Sequence, residues 1–338
     1  MDTLNIETPV ATTQGDAKFA ITIHRNELFK VVNYVQDIVE RKVANPSLGN
    51  LLLVATEDQH LQVTSTDLDI MSNASTVANV EHAGSLTVPA VTLYDILRKL
   101  PESEQVSLKF DASTNQLLLK TSNASFKLPV LPAHEFPSFN QTDFTHHYTA
   151  STAQLRDLID QIRFAMSTEE TRYYLNGIYL HPVEKDTNGE EEAEPTKMLA
   201  AVATDLHRLA YSIAPELSIP QDLPGVIVPR KTVNEIRRLL EGLDTEIQLS
   251  VSTQKIRFTC TEFTLVSKLI DGIFPDYQAV IPANNDKVAV IDRKQFIKAI
   301  ELVTIVTEEK TSGIKLKLNH NHLTISASNS HNFAGQEV

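Results

Sequence analysis

Asp205, His207 and Arg208 fall within four positions of the stretch VATDLHRLA, residues 202–210. Those side-chain types could relay a proton, ligate a metal or hold an anion. Apolar Val202, Leu206 and Leu209 alternate with small residues, so the stretch reads as a strand. In a strand Asp205 and His207 share a face, Arg208 points to the other, and an Asp–His hydrogen bond can form. A Ser–His–Asp relay also needs a nucleophile within reach and an oxyanion hole beside it. The sequence has no G-x-S-x-G, no P-loop and no H-E-x-x-H. Asp205 and His207 supply two metal ligands, and no third is evident. The residues therefore point away from an enzyme, a metal site or a cofactor site, and leave a strand-end cap or the rim of a binding surface.

The elements around this stretch repeat. Three amphipathic segments resemble one another: NELFKVVNYVQDIV (26–39), AQLRDLIDQIRFAM (153–166) and KQFIKAIELVTIVT (294–307). Each places apolar residues at helical spacing, as with Leu155, Leu158, Ile159 and Ile162. Each is followed by a Gly and an alternating strand (GNLLLV, NGIYLH, GIKLKL), then by a second strand. A further unit occurs twice, GSLTVPAVTLYDILRKLP (84–101) and PGVIVPRKTVNEIRRLLEG (224–242). In both a strand ends at Pro89 or Pro229, and a helix is expected after Thr92 or Thr232 acting as N-cap. Both copies finish at Phe-Pro, 48 residues after Pro89 and 46 after Pro229. Matched order and spacing indicate duplication. The expected domains are 19–141, 147–283 and an incomplete third copy, 287–338, preceded by a polar tail, 1–18. The stretch VEKDTNGEEEAEPTK (183–197) reads as a solvated loop.

Length and composition fit a globular chain of two or three domains: 338 residues, 42% apolar and 22% charged. No apolar run approaches the roughly 20 residues that span a bilayer, and the N-terminus lacks a signal-peptide pattern. Cys260, the single cysteine, allows no disulfide and is read as a half-buried strand thiol. These features lead to an expected cytoplasmic location. The formal charge of −13 argues against a nucleic-acid partner, unless the charges are segregated. They are. Five predicted helical windows (25–43, 90–100, 151–167, 230–242, 292–310) hold 16 of the 30 basic residues and 12 of the 43 acidic ones, net +4, leaving −17 elsewhere. Positive helix faces on an acidic body suit diffuse, salt-sensitive attraction to phosphate without fixed register. Lys and Arg also simply favour helices.

The motifs LGNLLL, TSTDLDI, RYYLNGIYL, VATDLHRLA, VIVPRK and SKLIDGIFPDYQAVIP closely resemble the bacterial DNA polymerase III beta subunit family, the sliding clamps, over about residues 19–338. The resemblance implies an α+β fold of repeated clamp domains, in a ring with helices inside and antiparallel sheets outside. It implies a processivity factor that is not an enzyme, encircles double-stranded DNA and needs no cofactor. Partners would include the polymerase III alpha subunit, the clamp loader and other polymerases and repair proteins, bound by short peptide motifs.

By resemblance, VATDLHRLA borders a hydrophobic partner cleft between domains two and three. Its walls would be Leu175, Thr204, Leu206, His207, Arg208, Leu209, Pro275 and Val280. Leu206 stands where family members often have Gly, and Ala279 replaces a basic residue seen in some. Lys42, Tyr173 and Tyr174 would face DNA, with Glu169 where the family can place a neutral polar residue. Phe126 and Leu128 would meet Ile305 and Val306 of a second copy in a homodimer, unless Phe126 and Leu128 point into their own core. With half of the third copy absent, ring closure is expected to be weak. A decoy that binds partner peptides without encircling DNA is the alternative reading.

Overall fold

A computed structural model describes residues 18–40, 45–138, 143–184, 197–307, 313–319, 322–329 and 333–337. The chain divides into two compact units, one through Pro275 and one from Asp276 onward. In the first unit, strand Ala20–His24 leads into helix α1 (Arg25–Val35), and antiparallel strands Asn50–Ala55, His60–Thr66 and Ile70–Val77 follow. Strand Gly84–Pro89 leads into α2 (Ala90–Lys99), then Gln105–Asp111, Gln116–Lys120 and Ser125–Pro129. The second copy repeats this order. His146–Ser151 enters α3 (Thr152–Ile162), followed by Gly177–Glu184, Lys197–Thr204 and Leu209–Ile219; Val226–Pro229 enters α4 (Arg230–Leu239), followed by Glu246–Val251, Lys255–Thr259 and Thr264–Lys268.

The helices form where polar and apolar residues alternate at a period near 3.6. α3 begins with a reciprocal cap: the Ser151 hydroxyl accepts from the Gln154 amide at 3.1 Å, and the Ser151 amide donates to the Gln154 side chain at 3.0 Å. Its Leu155, Leu158, Ile159 and Ile162 are buried on one face, each contributing roughly 1.5–3 kcal/mol. The expected Thr caps are not used. α2 and α4 start directly after Pro89 and Pro229, which take the N-cap position with non-helical backbone and offer no side-chain acceptor. Thr232 instead lies buried one turn in, its hydroxyl 2.6 Å from that of Ser267.

Sheet pairing joins the two copies. One sheet has nine strands, in the order Leu131–Pro132, Gly84–Pro89, Asn50–Ala55, His60–Thr66, Ile70–Val77, Thr264–Lys268, Lys255–Thr259, Glu246–Val251 and His146–Ser151. Its central seam pairs Asn73 with Thr264, Ser72 with Leu265, Met71 with Val266 and Ile70 with Ser267. A five-stranded sheet ends in Ser125–Pro129, and a four-stranded sheet carries Lys197–Thr204 and Leu209–Ile219. At Gly177 a Cβ would lie 2.2 Å from the Val228 carbonyl oxygen, so only glycine admits that strand approach. Cys260 follows Thr259 and is buried, and burial pushes its thiol up to about 11.

In the second unit, α5 (Arg293–Thr304) is capped by the Asp292 carboxylate, which accepts from the Gln295 amide at 2.8 Å. It packs on a three-stranded antiparallel sheet, Lys315–Asn319, His322–Ser328 and Phe333–Glu337, over a small core of Ala299, Val303, Leu323, Ile325 and Ala327. Of the expected loop 183–197, Val183 and Glu184 close one strand and Lys197 opens the next, while 185–196 lies outside the described residues.

Candidate functional site

The VATDLHRLA stretch is a hairpin, not one strand. Lys197–Thr204 ends at Thr204, Leu209 opens the next strand, and 205–208 is the connecting turn. Asp205 and His207 therefore do not share a strand face. The Asp205 carboxylate accepts from the backbone amides of His207 and Arg208, both at 3.0 Å, and from Arg208 Nε at 3.0 Å. The Thr204 hydroxyl donates to the Arg208 carbonyl at 2.8 Å and accepts from the Leu206 amide at 3.1 Å. Burial pushes the Asp205 carboxyl up, but the hydrogen bonds from Arg208 and His207 outweigh this and hold it below the usual carboxylate range. The Asp205 carboxylate is thus committed to building the turn.

The first repeat contains the same device. In TSTDLDI the Thr66 hydroxyl donates to the Ile70 carbonyl at 2.8 Å, and Asp67 accepts from the amides of Asp69 and Ile70 at 2.9 and 2.7 Å. Leu68 and Leu206 occupy equivalent positions with φ of 79° and 70°, the left-handed region that favours glycine. The sequence departure at Leu206 is thus a backbone matter as much as a matter of cleft shape. Its side chain is 53% exposed.

The predicted cleft residues differ in what they offer. Leu175 and Thr204 are buried; Leu209 and Pro275 are half-buried; Leu206, His207 and Arg208 are exposed. In the second unit Val280 is exposed. Beside the turn lies a cavity of about 330 Å³ lined by Arg163, Phe164, Glu169, His207, Arg208 and Arg230, among others. Sequence reading missed Arg163, Phe164 and Arg230; the first two are neighbours in a 3-10 turn after α3, and Arg230 lies some 65 residues on at the start of α4, so no spacing links them. Phe164 is 57% exposed and the Arg208 guanidinium lies 5.7 Å from its ring centre.

Tyr173 and Tyr174 lie in a 3-10 turn, Glu170–Leu175, with rings edge to face at 5.8 Å. Tyr173 is exposed and Tyr174 half-buried. Lys42 lies outside the described residues. The positive helix charge is partly spent inside the fold. Arg98, Arg156, Arg163, Arg237 and Arg238 each lie within 4 Å of a carboxylate, and Lys231 pairs with Asp67 and Glu40. Arg25 is buried, donating to the Leu97 carbonyl at 2.6 Å. Lys30 and Lys99 remain exposed on α1 and α2.

Of the residues expected at a protomer junction, Leu128 is buried in its own core and Phe126 packs half-buried against that core. Their shared face is the inner one. Ile305 is 75% exposed, while Val306 packs against the second unit's core.

Three family models match consecutive segments: the N-terminal domain of the DNA polymerase III beta subunit over residues 19–140, the central domain over 149–276 and the C-terminal domain over 278–337. The beta sliding clamp of Caulobacter vibrioides is 43% identical over 318 residues, covering 94% of this chain and 82% of its own length. The chain belongs to the beta sliding clamp family. The Escherichia coli clamp is 35% identical over 321 residues, with the same shares covered. A solved Caulobacter crescentus clamp with bound polyethylene glycol superposes with TM-score 0.90 at 41% identity, covering 96% of this chain and 84% of that one. The clamp of Bartonella birtlesii bound to griselimycin gives TM-score 0.88 at 37% identity, covering 95% and 84%. The chain is an α+β DNA sliding clamp, a non-enzymatic processivity factor of replication whose partners are DNA and clamp-binding proteins such as polymerases. These matches do not favour the decoy reading.

Proposed function

We propose that this clamp works as a head-to-tail homodimeric ring built from repeats 19–141, 147–283 and 287–338, in the cytoplasm at the nucleoid. The polymerase III alpha subunit, the clamp loader and other polymerases and repair proteins would dock by short peptides on Leu175, Thr204, Leu206, His207, Arg208, Leu209, Pro275 and Val280. Lys42, Tyr173 and Tyr174 would face the duplex. Enclosing DNA removes the dissociation route, and the peptide tether raises the local polymerase concentration.

The observation that carries this reading is the seam between Ile70–Val77 and Thr264–Lys268. By repeat order, Ser125–Pro129 corresponds to Thr264–Lys268, and Phe333–Glu337 corresponds to Ile70–Val77. Neither has a strand on its outer side among the described residues. A second copy continues the sheet across these edges by the rule that already joins the two repeats. Counting from the helix starts, Ile305, just after α5, takes the place of Asp37 after α1, and Val91 of α2 takes that of Lys231 of α4. At the seam within the chain, Asp37 meets Arg238 at 3.0 Å and Lys231 meets Asp67. Exposed Ile305 and Val91 put apolar side chains at two of these charged positions, while exposed Arg98 keeps the place of Arg238.

Sedimentation at micromolar concentration tests the dimer. Because both edge strands are present in the chain, a dimer mass is expected in place of weak closure, with retention on circular duplex DNA and loss once the circle is cut. A monomer that binds circular and linear DNA alike would overturn the ring.

A further inference from the structure

The cavity beside the 205–208 turn has the chemistry of a carboxylate receptor. Three arginines line it, and two are held through Nε. Arg208 Nε lies 3.0 Å from Asp205, and Arg163 Nε lies 3.0 Å from Asp160. That geometry orients each planar head while the ion pair leaves its two terminal nitrogens to other partners. Arg230, at the start of α4, is positioned by a 3.4 Å bond from Nη1 to the Ser167 carbonyl. The two acidic groups on the wall are already engaged: Asp205 by its own turn, Glu169 by Arg172 at 3.3 Å and by the Thr171 hydroxyl. Phe164 supplies an apolar wall against which a short methylene stem can lie.

We infer that this cavity binds an acidic side chain, Asp or Glu, of the partner peptide whose apolar residues occupy the adjoining cleft; the inference rests on the peptide-docking reading above. His207 and Arg208 belong to both surfaces, so a peptide anchored over Leu206 and Leu209 passes the cavity mouth. Fixed guanidinium forks suit bidentate pairing with a carboxylate. They suit a sliding duplex poorly, because a phosphate locked in a rigid receptor holds the protein in one register. The cavity thus adds selectivity among partners whose apolar anchors are alike.

Peptide binding on the whole chain, measured by fluorescence anisotropy, tests this with a double-mutant cycle. The probes are ten-residue peptides with two leucines and a phenylalanine, carrying one Glu at successive flanking positions, each beside its Gln twin. On the unaltered chain one Glu peptide is expected to bind about threefold to tenfold tighter than its twin. Arg230→Gln and Arg163→Gln should each shrink that ratio toward one while leaving the Gln peptide's affinity unchanged. Asp160 keeps Arg237 at 2.8 Å in the second variant, and a thermal melt of each variant checks the fold. Equal binding of every twin pair overturns the inference and spares the cleft. Absence of binding by any peptide overturns the cleft reading, and the inference with it. Loss of duplex DNA affinity in the variants, with the Glu–Gln ratio intact, makes the cavity a phosphate site and also overturns it.

Discussion

Leu206 carries a side chain through a backbone conformation that costs an L-residue about 1–2 kcal/mol. Thr204 and Asp205 hold it there with hydrogen bonds on both sides. Because Leu206 is more than half exposed, its substitutions report backbone strain more than lost packing. Leu206→Gly is expected to be more stable than Leu206→Val by about 1–2 kcal/mol, read from urea unfolding midpoints; equal midpoints would remove strain from the account. Asp205 gives a second residue-level expectation. Its folded carboxyl titrates below the unfolded value, so its stabilisation is present above an unfolded pKa of about 3.9 and is lost as pH falls through the folded one. The unfolding midpoints of the unaltered chain and Asp205→Asn should differ by a constant amount at neutral pH and converge below about pH 4. The repeated T-D-L spelling at 66–68 and 204–206 was visible in the sequence. Its meaning was not, because a polar turn between two apolar strands has the same alternation as a single strand crossing it.

At the scale of elements, the helices and the duplication were legible because apolar periodicity and Phe-Pro spacing are local signals. The helix starts after Pro89 and Pro229 were misplaced by a few residues, since each proline takes the N-cap position ahead of the Thr and has no side-chain acceptor to mark it. The pairs across the repeat seam left no trace, for their partners are some 160–200 residues apart. Arg238 is the strongest of them. It donates to the carbonyls of Asn33 and Tyr34 at 3.1 and 3.3 Å, pairs with Asp37 and holds Glu235 at 2.6 Å. Glu235 is buried, so removing Arg238 strands a carboxylate. Arg238→Ala is expected to cost about 2–3 kcal/mol in chemical denaturation, and adding Glu235→Ala should recover part of it. A strictly additive double variant would mean that the two side chains act independently.

On the scale of the whole molecule, the question is which polar groups of the Ser125–Pro129 edge face a second copy. Pro129 opposes Gln116 and has no N–H, while Thr121 and Ala124 are hydrogen-bonded just beyond the other end of the pairing. In an antiparallel ladder bonded and non-bonded pairs alternate. Phe126 and Leu128 therefore direct their backbone groups inward to Leu119 and Leu117, and Ser125 and Lys127 direct theirs outward. This separates what the edge strand does for its own repeat from what it does for a partner. The side chains of Phe126 and Leu128 pack the core, and the outward amides are the groups left for the proposed junction. Lys127→Pro deletes one outward donor and keeps the inner ladder, a substitution that an edge strand tolerates. The expected outcome is a chain whose thermal unfolding shifts little at concentrations where it is monomeric, yet whose dimer is lost in sedimentation at micromolar concentration. Retention on circular DNA should be lost with it. If Lys127→Pro leaves the dimer intact, the copies do not join through this strand. If the folded monomer itself is lost, the outward assignment of Lys127 is wrong, because only an inward-facing amide supports the repeat that carries it.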